Sequence, residues 1–135
     1  MSTNCHNAVT TLHAVVEGRA DPMALAAWIA EDAVFHSPVM HTPQEGKPKV
    51  MQYLGAALQM FSRYDFTYQR QIIDGSNAVL EFTVNMDGTH VNGIDLLTLN
   101  ESGKIIEFKV MIRPLKAIEK IRETMLAQLE ATARA

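Results

Sequence analysis

Residues 78–113 decide the fold of this chain: AVLEFTVNMDGTHVNGIDLLTLNESGKIIEFKVMIR. Apolar and polar side chains alternate in three segments of this stretch, which predicts three strands that each have one buried face: 78–86, 91–99 and 104–113. Asp87-Gly88 and the segment 100–103 are turn sequences of the kind that join neighbouring antiparallel strands. The stretch therefore predicts an antiparallel meander.

The flanking sequence predicts two more strands and four helices. Tyr64, Phe66 and Tyr68 alternate with polar residues, as in a half-buried strand, and a short strand over 33–37 ends at Pro38. Apolar residues recur at helical spacing in 4–16, in 48–61 and in the residues after Pro114, where the apolar stripe begins at Leu115. The alanine-rich segment 23–30 predicts a further helix, with Asp21 as its N-cap and Pro22 at its first position. Strands that are segregated from helices indicate an α+β fold. We expect the helices to cover one face of a twisted sheet and to leave a concave space there.

Composition limits the classes of protein that this chain can represent. It has 135 residues, of which 47% are hydrophobic and 20% charged, and its formal net charge is −3. These values predict a single globular domain over 1–135 and exclude a basic nucleic-acid-binding surface. The lack of a membrane-length apolar run or a signal-like N-terminus predicts a cytoplasmic protein with no membrane partner. Cys5 is the only cysteine, which excludes an internal disulfide and a multi-cysteine metal site.

The order of these elements, together with particular residues, resembles the nuclear transport factor 2-like (NTF2-like) superfamily, in its SnoaL-like and ketosteroid isomerase-like branches. The residues that carry the resemblance are 30–38 (AEDAVFHSP), Gly46, Val50, Tyr53, 93–97 (GIDLL), 103–106 (GKII) and 110–115 (VMIRPL). The resemblance implies a cone-shaped, cystatin-like α+β fold, in which a curved, mostly antiparallel sheet and helices enclose an apolar pocket. It also implies a homodimer.

The ketosteroid isomerase branch has three catalytic elements, and the resemblance carries only one of them onto this chain. The general-base aspartate of that branch corresponds to Ser37, whose hydroxyl cannot take up a proton at neutral pH. The tyrosine on the first helix falls where this chain has Leu12 and His13. The protonated acid of the branch corresponds to Asp95. Steroid isomerisation by that mechanism is therefore not expected.

Asp95 is the strongest candidate for chemistry because it interrupts the apolar segment Ile94-Asp95-Leu96-Leu97. Strand alternation places it on the same face as Val91, Gly93 and Leu97. If that face lines the pocket, desolvation raises the pKa of the Asp95 carboxyl, which then serves as a general acid or hydrogen-bond donor. The alternative is a carboxyl that is hydrogen-bonded at a pocket wall and takes part in no turnover.

The remaining candidates are a base and a set of wall residues. His41 follows the Pro38 bend and would serve as the base if it lay near Asp95. The side chains that we expect to form the ligand-binding wall are mostly aromatic: Trp28, Phe35, Ser37, Tyr53, Phe61, Phe108 and Val110. Ordinary core packing is the alternative for most of this set. The histidine spacing predicts no metal site, and no phosphate-loop or nucleophile motif is present, so we expect no cofactor.

Two functional hypotheses remain open, together with a structural one. The first is a cofactor-independent isomerase, cyclase or hydratase that acts on a small apolar molecule, with Asp95 as the acid or oxyanion donor. The second is a non-catalytic binding or accessory module that uses the same pocket; Ser37 in the base position favours it. The third is a dimerisation domain whose cavity is merely structural.

Overall fold

The strands form one curved mixed sheet, as a computed structural model that describes residues 2–134 shows. Side chains are described for residues 5–131. The helices are α1 (Ser2–Val16), a 3-10 helix (Pro22–Trp28), α2 (Lys47–Phe61) and α3 (Leu115–Arg134). The strands are β1 (Ile29–His36), β2 (Gln44–Glu45), β3 (Asp65–Asp74), β4 (Asn77–Met86), β5 (Thr89–Leu99) and β6 (Ile105–Arg113).

The sheet has the strand order β2-β1-β6-β5-β4-β3, and the expected α+β class is confirmed. Strands β3 to β6 pair in antiparallel fashion with their neighbours in sequence, as the turn signals predict. Asp87 and Gly88 take positive φ angles of 55° and 93°, the conformation that a two-residue hairpin turn requires. The β1 strand joins the other side of β6 in a parallel pairing, which the local pattern did not predict.

The second predicted helix needs a correction at its end. We expected a helix over 23–30, but the 3-10 helix ends at Trp28, and Ile29 and Ala30 already belong to β1. Both residues are buried against the core, and Ile29 pairs with Ile105 of β6, so sheet pairing overrides the helical tendency of the alanine-rich segment. The start of this helix is as expected, because Asp21 caps it by accepting a hydrogen bond from the Met23 amide at 2.8 Å.

An irregularity in β3 determines which of its side chains face the core. The register with β4 shifts by one residue between Tyr68 and Arg70, so Gln69 is the extra residue of a β-bulge. Tyr68 pairs with the buried Phe82, whereas an uninterrupted register from the turn at 74–77 would pair Tyr68 with the outward-facing Thr83. The bulge therefore turns Tyr68 towards the concave face.

Helices α1, α2 and α3 pack on that concave face. The predicted face of α1 is confirmed, since Cys5, Val9, Leu12 and Val16 are all buried. On α3 the buried residues within 115–131, where side chains are described, are Ala117, Ile121, Met125 and Gln128. Leu115, which we expected in the apolar stripe, is exposed. Gln128 is a polar contact between helices, because its amide donates to Oε1 of Gln59 at 3.1 Å and its oxygen accepts from Arg63. Within residues 2–134 no helix has the length and apolarity needed to cross a membrane.

Candidate functional site

Asp95 lies in the middle of β5 on the concave face of the sheet. Its neighbours across the ladders are Leu80 of β4 and Val110 of β6, which are both buried. The Asp95 residue itself is only 5% exposed. A carboxylate is costly to hold in such an apolar setting, so burial raises the pKa of Asp95 from its ordinary 3.8 to about 7.

Tyr68 is the hydrogen-bond partner of this carboxyl. The phenolic oxygen of Tyr68 donates to Oδ2 of Asp95 at 2.9 Å. This bond stabilises the ionised form and so lowers the pKa of Asp95, although less than burial raises it. Burial and the nearby Asp95 raise the pKa of Tyr68 well above its ordinary 10, so the phenol remains a donor. Among the described residues, Oδ1 of Asp95 has no hydrogen-bond partner and is the atom left to meet another oxygen.

Aromatic rings surround the Tyr68 side chain. The Phe66 ring meets the Tyr68 ring edge-on at 4.9 Å, and the Phe82 ring does so at 6.5 Å. The imidazole of His13 on α1 packs against a further part of the ring, with 4.5 Å between centroids. Gly93 makes room for this arrangement, because a Cβ atom there would lie 2.7 Å from Cζ of Phe82 and 2.6 Å from Cδ1 of Ile112.

An apolar cavity lies on the same face, between β1, β6, α2 and α3. Its volume is about 20 Å³, which is room for roughly one water molecule. Four of the predicted wall residues line it together with six others: Phe35, Ser37, Phe61 and Val110, then Pro38, Val39, Ala57, Met60, Ile121 and Met125. None of the ten has a titratable side chain, and the Ser37 hydroxyl is the only polar side-chain group in the lining.

Val110 connects this cavity to Asp95. It lines the cavity and is directly opposite Asp95 in the β5–β6 ladder, so both side chains project from the concave face. Directly opposed Cβ atoms in such a ladder lie about 5 Å apart. Asp95 is therefore one side chain away from the cavity but does not line it. A ligand larger than a water molecule must displace lining side chains to reach the carboxyl, and the flexible Met60 and Met125 are suited to such movement.

His41 occupies a different place from Asp95. It is exposed and lines an outer concavity of about 400 Å³ together with His36, Met40 and Lys109. Ser37, Pro38 and Val110 line both this concavity and the apolar cavity. His36 points to the outer face, where Nε2 lies 2.9 Å from Oε2 of Glu107. Within the described chain, His41 and Asp95 share neither a hydrogen bond nor a cavity, so the structure does not bring together the acid–base pair that we considered.

The other three predicted wall residues belong to the core rather than to the cavity lining. Phe108 is buried and its ring centroid lies 6.0 Å from that of Phe35. Trp28 and Tyr53 are half-buried and pack against the core from the 3-10 helix and from α2. Sequence reasoning missed Tyr68 as the partner of Asp95. The alternation of Tyr64, Phe66 and Tyr68 indicates only that these rings share one face of β3, and it does not indicate which residue of β5 the Tyr68 hydroxyl reaches. No group of three or more His, Cys, Asp or Glu side chains that could hold a metal ion occurs among the described residues.

Comparison with known proteins identifies the family. The model of the SnoaL-like domain matches residues 9–108, and the chain belongs to this family. A steroid delta-isomerase from Pseudomonas aeruginosa is 32% identical and superimposes with a TM-score of 0.87, over 98% of this chain and 96% of that one. A cystatin-like protein from Silicibacter pomeroyi is 33% identical with a TM-score of 0.78, over 89% and 82% of the two chains.

More distant structures share the fold alone. An NTF2-like protein from Mesorhizobium loti is 22% identical with a TM-score of 0.72, over 84% of this chain and 93% of that one. A search of curated proteins gave no match. The expected resemblance and the cystatin-like α+β fold are thus confirmed, and the family is one of ligand-binding and isomerase- or cyclase-type proteins.

Proposed function

We propose that the protein binds a small, largely apolar molecule that carries a carbonyl or phenolic oxygen, and that Asp95 and Tyr68 form the hydrogen-bonding end of the site. The observation that carries this proposal is the buried pair itself. The Asp95 carboxyl has a pKa of about 7 and accepts a hydrogen bond from the Tyr68 phenol, and it lies one side chain away from an apolar cavity. Apolar side chains with a few convergent polar groups are the usual composition of small-molecule sites.

The pair suits an oxygen on which negative charge develops. Below about pH 7 most of the Asp95 carboxyl is protonated and is able to donate a hydrogen bond, while Tyr68 donates to the other carboxyl oxygen. Donors fixed in a dry environment stabilise a developing oxyanion far better than water does. This is the requirement of a reaction in which a proton leaves the carbon next to a carbonyl and returns at a different carbon, with no change in formula. The similarity to a steroid delta-isomerase at 32% identity supports a carbonyl compound as the ligand.

The first experiment measures binding of 2-naphthol and of naphthalene, which are flat apolar probes with and without a phenolic oxygen. In Asp95→Ala we expect 2-naphthol to bind about tenfold more weakly, since a hydrogen bond to a buried polar group is lost, while naphthalene binding is maintained or improved. The matched control is Asp65→Ala, which removes an exposed carboxylate from the same sheet. Equal changes for the two probes in Asp95→Ala would contradict the proposal.

A second candidate, a non-catalytic binding module, is favoured by the cavity lining. The residues there include no group that could remove a proton, and Ser37 stands in the position of the base. The two candidates differ in turnover of a β,γ-unsaturated ketone such as 3-cyclohexen-1-one, whose conjugated product is followed by ultraviolet absorbance. Product formation that is lost in Asp95→Ala identifies the enzyme, and tight probe binding without product identifies the module.

A further inference from the structure

We propose that His13 is a positioning residue that holds Tyr68 in hydrogen-bonding contact with Asp95. The inference deepens the proposed function and rests on it for its functional meaning. Two contacts of the imidazole carry the inference: its ring packs on the Tyr68 ring at 4.5 Å, and Nε2 lies 2.9 Å from Oε1 of Gln71. His13 thereby joins α1 to two residues of β3.

These two residues flank the β-bulge. Tyr68 precedes the extra residue Gln69, and Gln71 follows Arg70 at the point where the regular register resumes. The bulge is what turns Tyr68 to the concave face, since the uninterrupted register would place it opposite Thr83. A side chain that contacts both sides of the bulge holds the strand in the shifted register, because slipping by one residue would move Tyr68 to the other face.

The surroundings of His13 are consistent with a positioning role rather than with direct contact to a ligand. Its side chain is 29% exposed and lines a surface concavity of about 280 Å³ with Glu17, Phe66, Thr67 and Tyr68. Nδ1 of His13 lies 4.0 Å from Oε2 of Glu17. His13 lines neither the apolar cavity nor the outer concavity around His41. Any effect of His13 on Asp95 is therefore transmitted by its contact with the Tyr68 ring.

A double-mutant cycle tests the role. The readout is the pKa of Asp95, followed by carboxyl-carbon NMR during a pH titration, with Asp95→Asn used to assign the signal. In the otherwise unchanged protein Tyr68→Phe removes a hydrogen bond that lowers this pKa, so the pKa rises. We expect the same substitution to raise it by less than half as much in a His13→Ala background, because the bond is already weakened there.

Two further backgrounds separate positioning from general destabilisation. His13→Phe keeps the ring on Tyr68 and is expected to restore most of the Tyr68→Phe effect. If His13→Ala does not fold, His13→Leu takes its place, because leucine has neither the ring that packs on Tyr68 nor a nitrogen that reaches Gln71. His6→Ala is the matched control, because His6 is an exposed histidine on the same helix; the full effect is expected there.

The outcomes distinguish the two proposals. If Tyr68→Phe shifts the pKa equally in the His13→Ala, His13→Phe and His6→Ala backgrounds, His13 does not position Tyr68, and the proposed function stands. If Tyr68→Phe shifts the pKa in none of them, the Tyr68–Asp95 pair does not exist in solution and both proposals are overturned.

Discussion

The phenolic hydroxyl of Tyr68 on β3 donates a 2.9 Å hydrogen bond to the buried carboxyl of Asp95 on β5, across the intervening strand β4. The first helix contributes no tyrosine to the site, and His13 of that helix packs against Tyr68 instead. The hydrogen-bonding end of the proposed site thus consists of residues from two strands of the sheet, and the imidazole of His13 packs against one of them. Sites on strands are held more rigidly than sites on loops, which suits a group that must donate in a fixed direction.

The raised pKa of Asp95 predicts a pH-dependent stability. The folded state binds the proton more tightly, with a pKa of about 7 against an ordinary 3.8, so this stabilisation is complete below about pH 4 and is lost as the pH rises to about 7. At about 1.4 kcal/mol for each pKa unit, the loss amounts to at most about 4 kcal/mol. We expect the free energy of unfolding of the wild type, measured relative to Asp95→Asn in urea, to fall over this range. The contributions of all other titrating groups to the pH dependence cancel in that comparison. A difference in the free energy of unfolding that is constant with pH would contradict the prediction.

Gly93 is expected to tolerate no side chain. A Cβ atom there would lie 2.6 Å from the Met111 carbonyl oxygen and 2.7 Å from Cζ of Phe82, and the backbone oxygen cannot move without disturbing the β5–β6 ladder. Gly93→Ala should therefore lower the free energy of unfolding by about 2–4 kcal/mol. Gly55→Ala is the control, because Gly55 lies within α2 and its Cβ would meet only Pro22 at 3.9 Å; it should be neutral or stabilising by up to about 1 kcal/mol. Similar losses in chemical denaturation of both variants would contradict this reading of the packing.

Val110 is expected to limit the size of the apolar cavity. Val110→Ala enlarges the cavity towards Asp95, so naphthalene should bind more tightly while the protein loses about 1–3 kcal/mol of stability. Val79→Ala is a matched control on the half-buried outer side of β4 and should leave naphthalene binding unchanged. Titration calorimetry measures the binding. Unchanged affinity in a folded Val110→Ala protein would show that this space is not where apolar probes bind.

Ser37 is expected to be the place where a missing base can be restored. Ser37 lines the apolar cavity, and Val110 separates that cavity from Asp95. A ligand that displaces the lining side chains to reach Asp95 would therefore also meet a carboxylate at position 37. General-base catalysis typically contributes about 10²–10⁴-fold, so Ser37→Asp should raise the turnover of 3-cyclohexen-1-one by at least about tenfold. The gain in turnover should vanish when Asp95→Ala is added. Ser62→Asp, which changes an exposed serine after α2, should give no gain. A gain in turnover that persists without Asp95 would show that Asp95 takes no part in the reaction.

Periodicity was sufficient to predict most of the elements. The alternation in 78–113 and its turn residues determine the β4–β6 meander and its register, since the Asp87-Gly88 turn sets Leu80 opposite Asp95. The same alternation correctly placed Asp95 on the buried face of β5. Local pattern did not predict the parallel pairing of β1 with β6, because that contact joins segments about seventy residues apart and has no turn between them.

The site was only partly predictable for the same physical reason. Asp95 stands out as a charge in an apolar strand, but its partner depends on the bulge at Gln69, which shifts the register of Tyr68 by one residue. Nothing in the alternation of 64–69 marks that bulge, since Gln69 is an ordinary polar residue whose amide donates to Oγ1 of Thr83 on the outer face. The contact of His13 with Tyr68 likewise depends on how α1 crosses the sheet.

The pKa of Asp95 is the most direct test of the account, because the proposed donor must be protonated near neutral pH. A carboxyl-carbon NMR titration of the wild type, with the signal assigned by its absence in Asp95→Asn, measures it. We expect a midpoint near pH 7 that moves higher in Tyr68→Phe. A midpoint at or below the ordinary 3.8, unchanged by Tyr68→Phe, would show an ionised structural carboxylate and would contradict the account.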